Sequence, residues 1–434
     1  MNPQDRQGFF ADRSSLDLDR YILLDYYFEA TDDPESAAAH LCQEQSTAQW
    51  KRVGVDEDLR EQFGAKVLDL TVHGAPSEPS YTLPGVEVQK VTQCRVTIAH
   101  PYTNFGPKLP NLLTAVCGEG VFHSPGITAI KLLDIAFPHS FLEHFEGPRF
   151  GVEGLREMLG VYDRPLFLGV VKPNIGLPPD DFAELAYQSW LGGLDIAKDD
   201  EMLSDIEWSP LSVRAEKVGR ARLRSEQVTG KRKIYLANIT DEVDRLTELH
   251  DMAVERGANA LMVNGMTTGL SAIRMLRKHT RVPLFAHFDF IAPFTQMPYF
   301  GVHSKVITKL QRLAGFDAII FPGLGERMKT TEHEVVLSVR ECLNPLGHLK
   351  RSLPIPAGSQ WAGSTAILYQ KLKTVDFGIV PGRAVFEHPL GPRGGAASLR
   401  QGWDAVASGQ TLEAYAQDHI ELRLAIESAA SHGP

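Results

Sequence analysis

"GGLDIAKDDE", residues 192–201, is an apolar run that breaks off in Lys198, Asp199, Asp200 and Glu201. It reads as a buried strand whose C-terminal end is either a solvated rim or a site that needs one amine and several carboxylates together. The stretches around it decide what kind of sheet the strand belongs to. From residue 165 onward, seven more short apolar runs occur: "PLFLGVVKP" (165–173), "KIYLANITDE" (233–242), "ANALMVNG" (258–265), "VPLFAHF" (282–288), "FDAIIFPG" (316–323), "LPIPAGS" (353–359) and "VDFGIVPG" (375–382). Amphipathic stretches such as "DDFAELAYQSWL", "EVDRLTELHDMAVERG" and "SKVITKLQRLAG" lie between them. The strands do not alternate apolar with polar, which suits parallel strands buried on both faces. Eight strand–helix units give the count of a (β/α)8 TIM barrel. A doubly wound open sheet would have fewer units and a glycine-rich first turn, and the chain has neither.

The first third has a different rhythm. "YILLDYYFEA" (21–30), "KVLDLTV" (66–72) and "CRVTIAHP" (94–101) read as strands, and "DPESAAAHLCQEQS" (33–46) begins with a helix cap. A Pro/Gly/Ser-rich loop is expected over 74–86. The chain therefore reads as α/β, with an α+β N-terminal domain over 1–150 and a barrel with a C-terminal helical extension over 151–434. At 434 residues it is too long for a single ordinary core.

Composition narrows the partners. A net charge of -10 opposes binding to nucleic acid, which requires a basic face to displace counterions. No apolar run approaches the roughly 20 residues that span a bilayer, and "MNPQDRQGFFADRSSLDLDR" lacks a secretory head. Cys42, Cys94, Cys117 and Cys342 form no CxxC pair and read as reduced thiols of a cytoplasmic protein. A small-molecule substrate is the expected partner.

In a barrel, strand C-terminal ends converge on one mouth. Lys172 and Asn174 end the first barrel strand, Lys198, Asp200 and Glu201 the second, Asn238 the third, Asn264 the fourth, and His287 and Asp289 the fifth. On residues alone, the Lys–Asp–Glu cluster is either a rim ion-pair network or a hard-cation site. For Mg2+, Asp200 and Glu201 supply oxygens, and a neutral Lys198 can add CO2 to become a carbamate, a third oxygen ligand.

"GGLDIAKDDE" and "GVVKPNIGL" (169–177), with "EQSTAQW" (44–50) and "EHPLGP" (387–392), resemble the large chain of RuBisCO along nearly the whole sequence. The resemblance implies a ferredoxin-like N-terminal domain and one Mg2+ per subunit, held by carbamylated Lys198, Asp200 and Glu201. It also implies a homodimer with shared active sites, in which Glu44 and Trp50 reach the partner's barrel mouth. Departures from the family pattern are as informative. The second lysine of the first-strand motif is Asn174, and the fifth-strand His-Arg pair is Asp289 and Phe290. Phenylalanine cannot replace a bidentate phosphate donor. The sixth-strand histidine is Ile320, and Arg327, with Lys329 nearby, stands closest to the loop lysine. Ala357, Gly358 and Ser359 replace Ser-Gly-Gly, and Gly382 alone survives of the eighth-strand glycines.

The sequence therefore resembles the RuBisCO-like proteins, form IV, of the branch found in photosynthetic bacteria. "QSTAQWKRVGVDEDLR", "NFGPKLPNLLTAVCGEG" and "YQSWLGGLDIAKDDEM" carry that likeness. Glu119 stands where the carboxylase has asparagine and the methionine-salvage enolase of the superfamily has a lysine base. Glu119 and Asp289 are the candidate bases, His287 is an acid/base or a structural histidine, and Lys172 is a holder of developing charge. The function implied is an Mg2+-dependent enolase or isomerase acting on a small phosphorylated or sulfur-bearing sugar derivative, in sulfur metabolism or the response to oxidative stress. The alternative is a pseudoenzyme that keeps the fold for a regulatory or binding role. The glycine pairs Gly192–Gly193 and Gly394–Gly395 are weak candidates for phosphate turns, and His388 for fixing a turn.

Overall fold

The computed structural model of the chain describes residues 1–31, 33–75, 78–82 and 90–432. Of the loop expected over 74–86, residues 76–77 and 83–86 lie outside these. Two compact units form, one from residues 1–146 with 290–310, the other from residues 147–289 and from 311 onward.

The first unit holds β1 (Tyr21–Ala30), β2 (Lys66–Gly74), β3 (Thr92–Pro101) and β4 (Ile127–Ala136) in the order β4-β1-β3-β2, all neighbours antiparallel. Helices Pro34–Gln45 and Leu109–Cys117 lie after β1 and after β3, which completes the β-α-β-β-α-β order of a ferredoxin-like unit. Asp33 caps the first of them, accepting from Ser36 N at 3.1 Å, and Ala38, Leu41 and Cys42 are buried along its length.

The barrel strands are β5 (Leu166–Val170), β6 (Ile196–Lys198), β7 (Ile234–Asn238), β8 (Ala260–Val263) and β9 (Leu284–Ala286). A two-residue β10 (Gly301–Val302) pairs parallel with β4. The barrel then resumes with β11 (Ala318–Pro322), β12 (Leu353–Ala357) and β13 (Gly378–Ile379). Every barrel neighbour is parallel, β13 pairs with β5, and an Ala357–Val380 bridge joins β12 to β13, so the sheet closes. All eight apolar runs are strands of this barrel. The excursion to β10 was not legible in the sequence. It is secured by polar contacts, with Lys131 Nζ donating to Thr295 O and Met297 O, and Lys305 and Lys309 both paired with Asp134.

The barrel interior is filled by alternate strand residues, among them Leu168, Val170, Ile196, Leu236, Met262, Ile320 and Ile355. Val152, Leu155 and Leu159 of helix Gly151–Leu159 join this core. That helix is fastened at its start by Phe150 N and Gly151 N donating to Asp317 Oδ1, one residue before β11. It therefore closes the N-terminal end of the barrel, leaving the C-terminal ends to carry the site. The glycine pairs serve packing. A Cβ on Gly192 would lie 2.1 Å from Arg393 O, and Gly395, inside helix Gly391–Ala407, would meet Val385 O at 2.3 Å. Gly192 and Gly395 are thus close-approach points to neighbouring backbone, while a Cβ on Gly193 or Gly394 would meet the side chains of Arg400 or Leu390. His388 accepts from Leu390 N at 3.1 Å and so holds its own turn. Among the described residues, no helix is long and apolar enough to cross a membrane.

Candidate active site

Strand parity sorts the acidic run. Lys198 shares the inward face of β6 with Ile196, and its side chain is 1% exposed. Its Nζ lies 2.9 Å from Glu201 Oε2 and donates to Asp199 O at 2.8 Å. Asp199 points the other way, out of the barrel, and is fully buried. Its carboxylate receives Arg214 of helix Leu211–Thr229 at 3.2 Å, Tyr235 Oη at 3.0 Å and Asn238 N at 3.0 Å. Burial pushes the Asp199 pKa up, while Arg214 and the hydrogen bonds from Asn238 and Tyr235 oppose it. Asn238 closes the arrangement, because its Nδ2 donates to Asp200 O at 3.2 Å and to Glu201 O at 2.9 Å. The sequence reading missed Asp199 as an anchor and Asn238 as a clamp. The signal was the doublet Asp199–Asp200 itself, since adjacent strand residues must face opposite sides.

Asp200 is completely buried, and its Oδ2 pairs with Lys172 Nζ at 3.1 Å. Lys172 also donates to Asn174 Oδ1. Gly382, at the end of the last strand, leaves room for this lysine, because a Cβ there would stand 3.1 Å from Lys172 Cε. His287 Nε2 lies 3.3 Å from Glu201 Oε2, and His287 Nδ1 lies 3.3 Å from Asp289 Oδ2. The second approach lacks hydrogen-bond alignment, so the buried Nδ1 is left without a partner. Burial alone would raise the Glu201 pKa, but Lys198 and His287 outweigh it and hold that carboxyl well below the usual range. Two further buried acceptors have no protein partner, Asn264 Oδ1 at the end of β8 and Gln360 Oε1 beyond β12. Gln360 was missed in the sequence, where nothing distinguishes it from a surface glutamine.

The structure thus brings together Lys172, Asn174, Lys198, Asp200, Glu201, His287 and Asp289. Gly358 and Ser359 follow β12 with positive φ, and a Cβ on Gly358 would meet Met328 Sδ at 2.2 Å. Arg327, in the short helix after β11, is exposed. Glu44, Trp50 and Glu119 belong to the first unit. Trp50 packs edge-on against Phe9 with the Arg60 guanidinium 4.7 Å from its ring. Glu119 is exposed and lies 3.2 Å from His123, one helical turn on.

The donor set fits a divalent cation. Carbamylation of Lys198 would convert its contact with Glu201 from ammonium–carboxylate to anion–anion, beside the buried Asp200. Three anions this close, two of them almost wholly buried, are stable only around a cation, and an all-oxygen set is what Mg2+ takes. A second grouping, Glu201 with His287 and Asp289, has its ligand atoms within 4.8 Å of one another but includes an imidazole nitrogen, which suits Mg2+ less.

Comparison with known proteins agrees in both units. Residues 10–141 match the ribulose bisphosphate carboxylase large chain N-terminal domain, and residues 151–429 match its catalytic domain. The chain belongs to the RuBisCO large-chain family. Within that family it is 63% identical, over 427 residues, to a ribulose bisphosphate carboxylase-like protein of Allochromatium vinosum, covering 98% of this chain and 93% of the relative. A carboxylase-like protein of Chlorobaculum tepidum is 57% identical, with 99% of each chain covered. Among solved RuBisCO structures, the octameric ribulose-1,5-bisphosphate carboxylase/oxygenase of Pyrococcus horikoshii superposes with a TM-score of 0.88 at 30% identity, covering 99% of this chain and 98% of the other.

Proposed function

We propose that this RuBisCO-family chain is an Mg2+-dependent enolase- or isomerase-type enzyme and not a ribulose-bisphosphate carboxylase. The observation that carries the reading is one asymmetry. The charges of the mouth (Lys172 and Glu201, with the buried Lys198 and Asp200) are all present and mutually paired, whereas Phe290 and Ile320 stand where the family's phosphate-binding arginine and sixth-strand histidine are expected. A mouth relieved of function would shed costly buried charge first. With one phosphate clamp weakened, the substrate is a monophosphate or unphosphorylated sugar derivative, including sulfur-bearing ones, and the setting is sulfur metabolism or oxidative stress.

Lys198 as its carbamate, Asp200 and Glu201 would hold the cation. When bound, Mg2+ supplies Lewis-acid stabilisation of the charge that develops on a substrate oxygen. Lys172 donates from Nζ to that oxygen, held in place by Asp200 and Asn174. The negative Glu201 favours the His287 proton on Nε2, which leaves the unpartnered Nδ1 as an acceptor facing Asp289. Asp289 takes the proton from carbon and His287 steadies it; Glu119 is the other candidate base. Arg327, Gly358, Ser359 and Gly382 line the remaining phosphate side. In the proposed homodimer, Glu44 and Trp50 of the partner subunit complete each mouth, and the protein works in the cytoplasm.

Solvent deuterium exchange into a panel of ketose monophosphates and thio-sugars, with Mg2+ and bicarbonate, tests this. Exchange is expected with the intact protein and is lost in Lys198→Ala. Unchanged exchange in Asp289→Asn removes Asp289 from the mechanism, and unchanged exchange in Glu119→Gln removes Glu119. CO2 fixation into ribulose bisphosphate sinks the exclusion of carboxylase activity. Absence of exchange across the panel, with a biological role intact in Lys198→Ala, leaves the binding-protein alternative.

A further inference from the structure

On the outer layer of the barrel unit, two imidazoles converge on one carboxylate oxygen. His250 Nδ1 lies 2.7 Å, and His279 Nε2 2.6 Å, from Asp251 Oδ1. His250 and Asp251 sit on helix Leu246–Arg256, and His279 is the last residue of helix Leu270–His279. The rings stand edge to face with centroids 4.8 Å apart. Neither the mechanism above nor the family motifs use any of the three.

The arrangement behind His250 is informative. Its Nε2 lies 2.8 Å from Thr280 Oγ1, a fully buried hydroxyl. Thr280 Oγ1 also receives Val282 N and donates to Val282 O, both at 3.2 Å. When the Thr280 hydrogen goes to Val282 O, Thr280 accepts from His250 Nε2–H. In that tautomer the Nδ1 lone pair faces the Asp251 oxygen, and a cation between them satisfies both. A neutral imidazole whose far N–H is held by a fixed acceptor is the arrangement that orients metal-ligating histidines.

We propose that His250 Nδ1, His279 Nε2 and Asp251 form a second cation site, for a borderline divalent transition metal of the Zn2+ class, which staples the helices after β7 and β8. Two nitrogens and one carboxylate oxygen suit Zn2+ and not Mg2+. Tetrahedral ligation at about 2.0–2.1 Å separates donor atoms by about 3.3 Å. The present contacts therefore need to open by less than about 1 Å, a shift within reach of the half-exposed Asp251 side chain. His279 is 40% exposed, so water can take the fourth position.

The test is Zn2+ and Co2+ titration of the chelator-stripped full-length protein. It is done in a His287→Ala background so that the mouth grouping does not contribute. One equivalent is expected to bind, with a visible Co2+ ligand-field spectrum of tetrahedral type and a Zn2+-dependent rise in Tm. Adding His279→Ala should remove both signals, while circular dichroism shows the fold retained. Thr280→Val, nearly the same in shape, should weaken Zn2+ binding about 10–100-fold. Absence of a Co2+ spectrum and Tm shift in the His287→Ala protein, or their persistence in His279→Ala, overturns the site.

Discussion

Lys198 Nζ stands 2.9 Å from Glu201 Oε2 at the end of β6, with the lysine almost wholly buried and a quarter of the glutamate exposed. In this form the pair is a closed ion pair. The contact is also the point where reaction with CO2 would reverse a charge, so it couples the chemistry of one amine to the binding of a cation. Mg2+ with bicarbonate should therefore raise Tm, and either alone should do so less. Lys198→Ala should abolish the synergy and cost up to about 3 kcal/mol, because Glu201 keeps His287 and some solvent. Equal stabilisation of the variant and the parent in differential scanning fluorimetry would contradict the carbamate.

The depressed pKa of Glu201 sets a pH dependence. A carboxyl held low in the fold contributes stability that is present above its unfolded value of about 4.3 and is lost as pH falls through its folded value. The stability gap between the metal-free parent and Glu201→Gln should be full near pH 6 and shrink on acidification below about pH 4. Urea titrations at several pH values measure it; a gap that widens on acidification reverses the assigned sign.

Asp199 should matter more to the fold than to the chemistry. Asp199→Ala leaves Arg214 buried without its counter-ion, at a cost of about 3–5 kcal/mol, read as a lower urea midpoint. Asp199→Asn keeps the shape and should cost less. A surface-like effect below about 0.5 kcal/mol for the alanine variant would contradict the buried network.

Lys172→Met strips the fully buried Asp200 of its cationic partner. We expect lower stability without metal, by about 1–3 kcal/mol, and a larger Mg2+-dependent gain in Tm than the parent shows, because the cation replaces the lost charge. Turnover should fall at least about 100-fold if Lys172 steadies the developing charge. Equal Mg2+ gains in both proteins would separate Lys172 from the metal site.

Gly382→Ala probes positioning. The added Cβ would fall 2.9 Å from Val170 Cγ1 and 3.1 Å from Lys172 Cε, with no backbone strain at φ -79°. Lys172 must shift, so kcat/KM should drop about tenfold or more while the fold loses about 1–2 kcal/mol. An unaltered kcat/KM would show that Lys172 does not require that space.

The architecture was legible because its physics is local. An eightfold recurrence of apolar runs with polar C-terminal ends admits few arrangements other than a closed parallel barrel, and the mouth residues follow from where each run stops. The departures of β10, which joins β4, and of Asn238, which clamps the Asp200–Glu201 backbone, have no such periodic signature. They depend on which carbonyls a distant amide or amine reaches.

The sequence by itself determined the number of barrel strands, the family and the identity of the charged residues at the mouth, since residue type and spacing along one chain are enough for these; β4 and β10 of the first unit were not read from it. Only the tertiary structure decided how those charges divide. Lys198 pairs with Glu201 and Lys172 with Asp200, while Asp199 turns outward to Arg214 and His250 meets His279 across two helices. Pairing energies depend on separation and burial in space, and residues as far apart as Lys172 and Asp200 acquire both only when the barrel closes.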